Sequence, residues 1–205
     1  MKILALELSS TVGSIACVDE GETVFTAEFA NDRKHSGLFF GNLEDCLRSV
    51  GNSDQIVVGL GPGSYAGTRI AIAAAIGLQA AWAVALVGAP SICALPTGDD
   101  TYAVIGDARR QSFFFAVVQD RRLIDVPVLL SADELDRRLT TFSHRVFTTE
   151  PLPQFPRVDV RRAAARVLAE IARRGDFVTA HVPLEPIYLR EPHITQPKVA
   201  QFSAT

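Results

Sequence analysis

The sequence predicts an α/β fold of two subdomains, in which a unit of strands and helices in the order βββαβα occurs twice. Apolar runs typical of strands alternate with amphipathic segments typical of helices. The order strand, acidic residue, polar turn and strand restarts after residue 100, so that a shift of one hundred residues places Asp107 on Glu7. We therefore predict subdomains at residues 1–98 and 99–205, with a ligand cleft between them at the carboxyl ends of the strands.

The first unit begins with three predicted strands, KILALEL, GSIACVD and TVFTAEFA, which are separated by short polar turns. An amphipathic helix is predicted at roughly 35–50, because apolar residues recur at intervals of three and four before Gly51. These apolar residues are Phe39, Leu43, Cys46, Leu47 and Val50. A strand at Gln55–Leu60, a helix at Tyr65–Ala81 with Ser64 as its N-cap, and a strand at Val84–Val87 complete the unit.

The second unit repeats this order between Tyr102 and Leu130, where three strands are predicted. Ser131 and Glu134 have the spacing of a capping box and predict a helix that starts there. A strand at Arg145–Thr148 and a helix from Asp159 to Arg174, ended by Gly175, follow. The stretch VPLEPIYLREPHITQPK is interrupted by prolines and is predicted to be extended.

Charge and cysteine content narrow the classes of function. The net charge is −3, and residues 1–100 carry 5 Lys and Arg against 11 Asp and Glu. Because nucleic-acid affinity depends on clustered cations, we do not expect this chain to bind RNA by itself. Its three cysteines are isolated and lack metal-site spacing. Together with an N-terminal apolar run too short for a signal peptide, they predict a cytoplasmic protein.

One segment has the length of a membrane span. Residues 70–89 carry no charge, but nine of these twenty residues are alanine and two are glycine. We interpret this segment as a buried, tightly packed helix followed by a core strand.

The most conspicuous motif is GLGPGSYAGTR, from Gly59 to Arg69, between a predicted strand and a predicted helix. A Walker loop needs a lysine after its glycines, and no lysine lies between Lys34 and Lys198. A dinucleotide loop needs an acidic residue about twenty positions later, but residues 55–98 contain none. We therefore interpret the motif as a tight turn that begins a helix. A stripe of small residues on this helix predicts a close helix–helix contact, internal or intermolecular; it comprises Ala73, Ala74, Gly77 and Ala81.

A second candidate phosphate contact is the turn ELSSTVGS between the first two strands. Its hydroxyl and amide groups can bind phosphate while the acidic residue orients a metal; the alternative is an ordinary hairpin. The candidate cofactor-binding residues are Glu7, Ser9, Ser10 and Thr11. The four histidines are scattered, and no sequence pattern indicates a catalytic site or a resident metal site.

Six segments together resemble the TsaB family, also called YeaZ, which is needed to make N6-threonylcarbamoyladenosine in tRNA. They occur in order from about residue 2 to residue 190: KILALELSST, HSGLFFGNLEDCL, IVVGLGPGSYAGTRIAIAAAIGL, VGAPSICAL, YAVIGDARRQSFFF and PIYLR. The resemblance implies a two-subdomain actin/Hsp70-like ATPase fold. It also implies a non-catalytic scaffold and activator that pairs with a paralogous catalytic subunit, TsaD.

In TsaD a His-x-x-x-His motif holds a metal, whereas the corresponding place here reads from His35 to Phe39, so no metal site carries over. The resemblance implies a partner surface on the two N-terminal helices, homodimers when the chain is alone, a TsaE-like ATPase as a further partner, and tRNA contact only through the complex. It leaves open weak ATP or ADP binding at the partner interface and implies no other cofactor. The interface residues implied are His35, Leu38, Phe39, Asn42, Arg69, Ile70, Ala73, Ala74 and Gly77.

The chain departs from the family pattern at Glu7, where aspartate is usual, and at Tyr65 and Ala66, where phenylalanine and threonine are usual. These changes weaken the case for a working phosphate site. Two other functions stay open: an ATP-dependent phosphotransferase that uses Glu7, Asp107 and the serine-rich turn, and a zinc peptidase, which would require bound metal.

Overall fold

Two mixed β-sheets form the framework of the computed structural model, which describes residues 1–31, 36–175 and 184–190. The first sheet has the strand order β3-β2-β1-β4-β5. Its strands are β1 (Lys2–Glu7), β2 (Val12–Asp19), β3 (Glu22–Ala30), β4 (Gln55–Gly59) and β5 (Ala85–Ala89). Strand β1 is antiparallel to β2 and parallel to β4. Two helices, α1 (Gly37–Val50) and α2 (Tyr65–Trp82), connect these strands and cover the outer face of the sheet.

The second sheet has the order β11-β10-β6-β7-β8, with β9 paired to β7. Its strands are β6 (Thr101–Asp107), β7 (Phe113–Gln119), β8 (Arg122–Leu123), β9 (Val128–Leu130), β10 (Arg145–Thr148) and β11 (Asp159–Val160). Strand β6 is antiparallel to β7 and parallel to β10, as β1 is to β2 and β4. This repetition confirms the predicted duplication. The copies differ because no helix lies between β10 and β11, where the first unit has α2.

Helix α3 (Ala132–Thr141) begins as the sequence predicts. The Ser131 hydroxyl accepts a hydrogen bond from the Glu134 amide at 3.3 Å, and the Glu134 carboxylate accepts one from the Ser131 amide at 2.8 Å. This reciprocal pair is the capping box that the spacing indicated.

The predicted helix from Asp159 to Arg174 is wrong at its start, because helix α4 spans only Ala165–Arg174. Asp159 and Val160 instead pair with β10 as the short strand β11. The backbone is extended at Ala164, immediately before the helix, with φ and ψ of −124° and 132°. Sheet pairing with β10 therefore overrides the helical pattern of this segment.

Helix α4 packs against the first sheet, although it comes from the second half of the sequence. Leu168 and Ile171 belong to one buried cluster with Ile3 of β1 and Val104 of β6, which we call the central core. The Ala165 amide also donates a hydrogen bond to the hydroxyl of Ser14 in β2, at 2.9 Å. The two halves therefore share a core, and the division between residues 98 and 99 stays a prediction.

Helix α2 is not buried on all sides, which corrects the interpretation of residues 70–89. Its buried residues lie on one face, and they are Gly67, Thr68, Ala71, Ile72 and Ala75. The opposite face is open to solvent. Within the described ranges, no helix combines the length and apolar character needed to cross a membrane. The three cysteines are buried and free.

Candidate functional site

The glycine loop between β4 and α2 packs directly against the turn that follows β1. The Ser64 amide donates a hydrogen bond to the Ser9 carbonyl oxygen at 2.6 Å. A Cβ atom at Gly63 would lie 2.1 Å from this same oxygen, so only glycine fits there. Ser64 caps α2, as predicted, by accepting a hydrogen bond from the Gly67 amide at 3.2 Å. The glycines therefore allow backbone to approach backbone.

Glu7 lies beneath this loop and not in a cavity. Its side chain is 0% exposed, and its Oε1 atom accepts a hydrogen bond from the Ser9 amide at 2.6 Å. Burial raises the pKa of Glu7, and hydrogen bonds from Ser9 and Ser91 oppose this increase only in part. Glu7 is thus absent from the lining of the cavity described next, and its role as a cofactor-binding residue stays a prediction.

A cavity of about 570 Å³ lies where the carboxyl ends of β1, β4, β6 and β10 meet. Ser9, Ser10 and Thr11 line it from the first half of the chain. Asp107 and Arg110 are among the residues that line it from the second half. This is the place at which the cleft was predicted, and three of the four proposed cofactor-binding residues face it.

The second half contributes a tight turn of charged residues to the cavity. Arg109, Arg110 and Gln111 all have positive φ, at 65°, 53° and 58°. The Asp107 carboxylate accepts hydrogen bonds from the Arg109 amide at 2.7 Å and from the Arg109 guanidinium at 2.9 Å. The cavity lining thus combines hydroxyl groups from the first half with charges of both signs from the second half. Within the part of the chain that the structure describes, no three His, Cys, Asp or Glu residues cluster as metal ligands do.

Residues 184–190 cross the cavity and contribute to its lining, a feature that the sequence did not reveal. The Ile187 amide donates a hydrogen bond to the Leu60 carbonyl oxygen at 2.8 Å. The guanidinium of Arg190 donates one to the Ser112 hydroxyl. The prolines predicted an extended segment but carried no information about where it lies.

The helices α1 and α2 present the surface that the resemblance implied for a partner. Leu38, Arg69, Ala73 and Gly77 are exposed, and a Cβ atom at Gly77 would have no neighbour within 4 Å. Asn42, Ile70 and Ala74 are partly buried. The small-residue stripe is thus open along most of its length and is not covered by the described part of this chain.

One predicted interface residue is buried within this chain, and one cannot be placed. Phe39 is 1% exposed and belongs to the core beneath α1 and α2, as the helical periodicity of α1 already indicated. His35 lies outside the described residues. The structure adds Phe40, Tyr65 and Ile76, which are exposed by 50%, 51% and 43%. Ile76 could have been found from the sequence, because it continues the helical spacing of Arg69 and Ala73.

Comparisons with known proteins found a family model and solved structures that resemble this chain. The model of the TsaD family, described as tRNA N6-adenosine threonylcarbamoyltransferase, matches residues 30–139, more than half of the chain. The structure of an uncharacterized protein with similarity to peptidase YeaZ, from Pseudomonas aeruginosa, is 25% identical with a TM-score of 0.72. YeaZ from Pseudomonas aeruginosa is 24% identical with a TM-score of 0.71. Each match covers 92% of this chain and 99% of the other. These matches confirm the predicted two-subdomain α/β fold.

Proposed function

We propose that this chain, which belongs to the TsaD family and within it to the TsaB/YeaZ group, is a non-catalytic subunit. The machinery that it would serve makes N6-threonylcarbamoyladenosine in tRNA. In this proposal α1 and α2 bind a TsaD-like catalytic subunit and support its activity. A TsaE-like ATPase joins the assembly, and tRNA meets this chain only through the complex. The same helices pair two copies of the chain when the catalytic subunit is absent.

The observation that carries the proposal is the open, small-residue face of α2. Ala73 and Gly77 lie on this face with no covering element from the described chain. Small side chains let a second helix approach closely, while the exposed Leu38, Phe40 and Ile76 offer apolar area to a partner. Scattered apolar residues are normal on a protein surface. Here, however, they lie on or beside α2, a helix that carries no acidic residue.

The interior of the chain supports a structural role for the residues that a phosphotransferase would use. Glu7 is enclosed beneath the glycine loop, and the Asp107 carboxylate is paired with Arg109. The glycines of the loop are explained by close packing against the turn after β1. These contacts favour a scaffold over the rival phosphotransferase, although the cavity can still take a nucleotide weakly.

Substitution of Gly77 by arginine tests the docking face. The position has room for a side chain in the monomer, and arginine favours helix more than glycine does, so the variant should fold at least as well as the wild type. On a close helix contact, the new cation would clash and lose its water, which is costly without a partner charge. We expect at least tenfold weaker binding to a TsaD-like subunit, measured by titration calorimetry.

Thr140→Arg is the matched control, because it places the same charge on the exposed surface of α3. It should bind the partner as the wild type does. Ala74→Arg is a less specific test, since Ala74 packs partly against the core beneath α2. Unchanged affinity of Gly77→Arg would refute the assignment of this face.

Titration of the isolated chain with Mg-ATP separates the proposal from the phosphotransferase hypothesis. The scaffold proposal predicts no hydrolysis and at most weak binding at millimolar nucleotide. Turnover of ATP by the isolated chain would contradict a non-catalytic role, and elemental analysis that found stoichiometric zinc would favour the peptidase hypothesis.

A further inference from the structure

The segment 184–190, which we call the strap, is attached to both halves of the molecule. Leu184 and Ile187 pack against the core beneath α1 and α2, whereas Leu189 packs against the central core. The Ile187 amide is bound to the Leu60 carbonyl oxygen, and Arg190 is bound to Ser112 next to β7. The strap therefore has one anchor at the glycine loop and a second anchor at the second sheet.

Between these anchors, Tyr188 lies against the first residue of α2. The ring centroids of Tyr188 and Tyr65 are 5.5 Å apart, with an angle of 37° between the ring planes. The Tyr65 hydroxyl accepts a hydrogen bond from the Arg69 guanidinium at 2.5 Å. Tyr188 is 40% exposed, and Tyr65 and Arg69 are exposed as well. The side chains of Tyr188, Tyr65 and Arg69 thus form a surface cluster that is held together by contacts within the chain.

We propose that the strap completes the docking surface, and that Tyr188, Tyr65 and Arg69 bind a carboxylate-bearing patch of the partner protein. The proposal rests on the function proposed above and names residues and chemistry that it leaves unspecified. Tyrosine and arginine are enriched among the residues that dominate binding energy at protein interfaces. The cluster is continuous with the face of α2, because Tyr65 and Arg69 lie on the first two turns of that helix.

The charge of Arg69 specifies the chemistry of the patch. Among the residues that the structure describes, its guanidinium is paired with a phenolic hydroxyl and with no carboxylate. The sequence has no acidic residue from Gln55 to Gly98, and the strap contributes one exposed carboxylate, Glu185, near Tyr188. A guanidinium that is already held by Tyr65 loses less freedom when it binds a carboxylate. An acidic group on the partner, flanked by apolar atoms that cover the two tyrosine rings, fits this cluster.

The test measures the affinity of the full-length chain for a TsaD-like subunit in four variants. Tyr188→Ala should weaken binding at least tenfold, whereas Tyr188→Phe, which keeps the ring contact, should stay within twofold of the wild type. Arg190→Gln removes the anchor on the second sheet and should weaken binding severalfold, although Arg190 is not part of the cluster. Arg173→Gln, an exposed arginine on α4, is the matched control and should bind as the wild type does.

Two further readouts separate docking from general stability. Hydrogen exchange of the Ile187 amide should be faster in Arg190→Gln and unchanged in Arg173→Gln, because only the former loosens the strap. Arg69→Met should reduce the salt dependence of the affinity, since the charge pair with the partner is lost. Similar melting temperatures of all variants would show that folding is unaffected.

The outcomes distinguish this inference from the proposed function. If Gly77→Arg abolishes binding while Tyr188→Ala stays within twofold of the wild type, the docking face stands and the strap has no part in it. If Arg69→Met leaves the salt dependence unchanged, the carboxylate patch is refuted. If the wild-type chain does not bind the partner at all, both proposals fail.

Discussion

Gly59 and Gly63 bring the glycine loop into contact with the turn after β1, since neither position has space for a Cβ atom. At Gly63 the obstacle is a backbone oxygen, and at Gly59 it is the Glu7 carboxylate, 1.9 Å from the position of a Cβ atom. The sequence alone already excluded a Walker loop, because the lysine is absent, and a dinucleotide-binding loop, because the acidic residue is absent. Which atoms the glycines approach depends on the turn after β1, far away in the chain, and so could not be predicted.

Gly59→Ala should destabilise the fold, because its methyl group would collide with Glu7 and with the Ser91 hydroxyl at 2.6 Å. Overpacking of this kind costs about 1–3 kcal/mol in the free energy of unfolding. Gly77→Ala is the control: it has open space on a helix and should stabilise by about 1 kcal/mol. Denaturant titration measures both, and equal effects of the two changes would refute the packing argument.

Glu7 gives the stability of the chain a dependence on pH. Burial raises its pKa in the folded chain above the ordinary value of 4.5, so the folded state keeps its proton over the window between the two values. In that window the unfolded state binds fewer protons, and stability therefore falls as the pH rises. Glu7→Gln cannot ionise and should lose the decline that begins as the pH rises above the ordinary pKa of 4.5. Denaturant titration at several pH values measures the free energy of unfolding. An identical decline in the wild type and in Glu7→Gln would show that Glu7 is not its cause.

Helix α2 illustrates what a sequence pattern can establish about an element. The spacing of its small residues predicted a close contact, and Ser64 predicted where the helix begins. The pattern could not decide whether the contact was internal, because several elements of the same chain could have covered the stripe. The structure leaves Ala73 and Gly77 open, and this makes an intermolecular contact the better interpretation.

Helix α4 shows where the sequence pattern fails. Its end at Gly175 was predicted correctly, but its start was not. Val160 lies in a segment that also satisfies a strand pattern, and the free edge of β10 decides between the two structures. Such pairing is nonlocal, so helix periodicity alone could not reveal it.

Leu168→Ala tests whether α4 belongs to a core that both halves share. Leu168 is 0% exposed in the central core, so truncation should cost about 2–5 kcal/mol in the free energy of unfolding. Hydrogen exchange should accelerate in β1 and β2 as well as in the second sheet. Leu129→Ala, on a partly exposed residue of β9, should cost less than about 1 kcal/mol. Faster exchange confined to the second sheet would contradict the shared core.

For the whole molecule, the shared core predicts that the two halves do not fold independently. A fragment of residues 1–98 would expose the inner face of the first sheet, which α4 covers in the full chain. We expect this fragment to lack a cooperative thermal transition and dispersed amide resonances in NMR spectra. A cooperative transition comparable to that of the full chain would instead support two autonomous domains, as the sequence duplication by itself would allow.

Reconstituted tRNA modification tests the central claim most directly. A TsaD-like subunit, a TsaE-like ATPase, threonylcarbamoyl-adenylate and substrate tRNA would be combined with the wild-type chain, with Gly77→Arg, with Thr140→Arg, or with no addition, and the modified nucleoside quantified by mass spectrometry. We expect modification with the wild type and Thr140→Arg, and little with Gly77→Arg or without the chain. Equal modification with and without the chain would contradict the central claim.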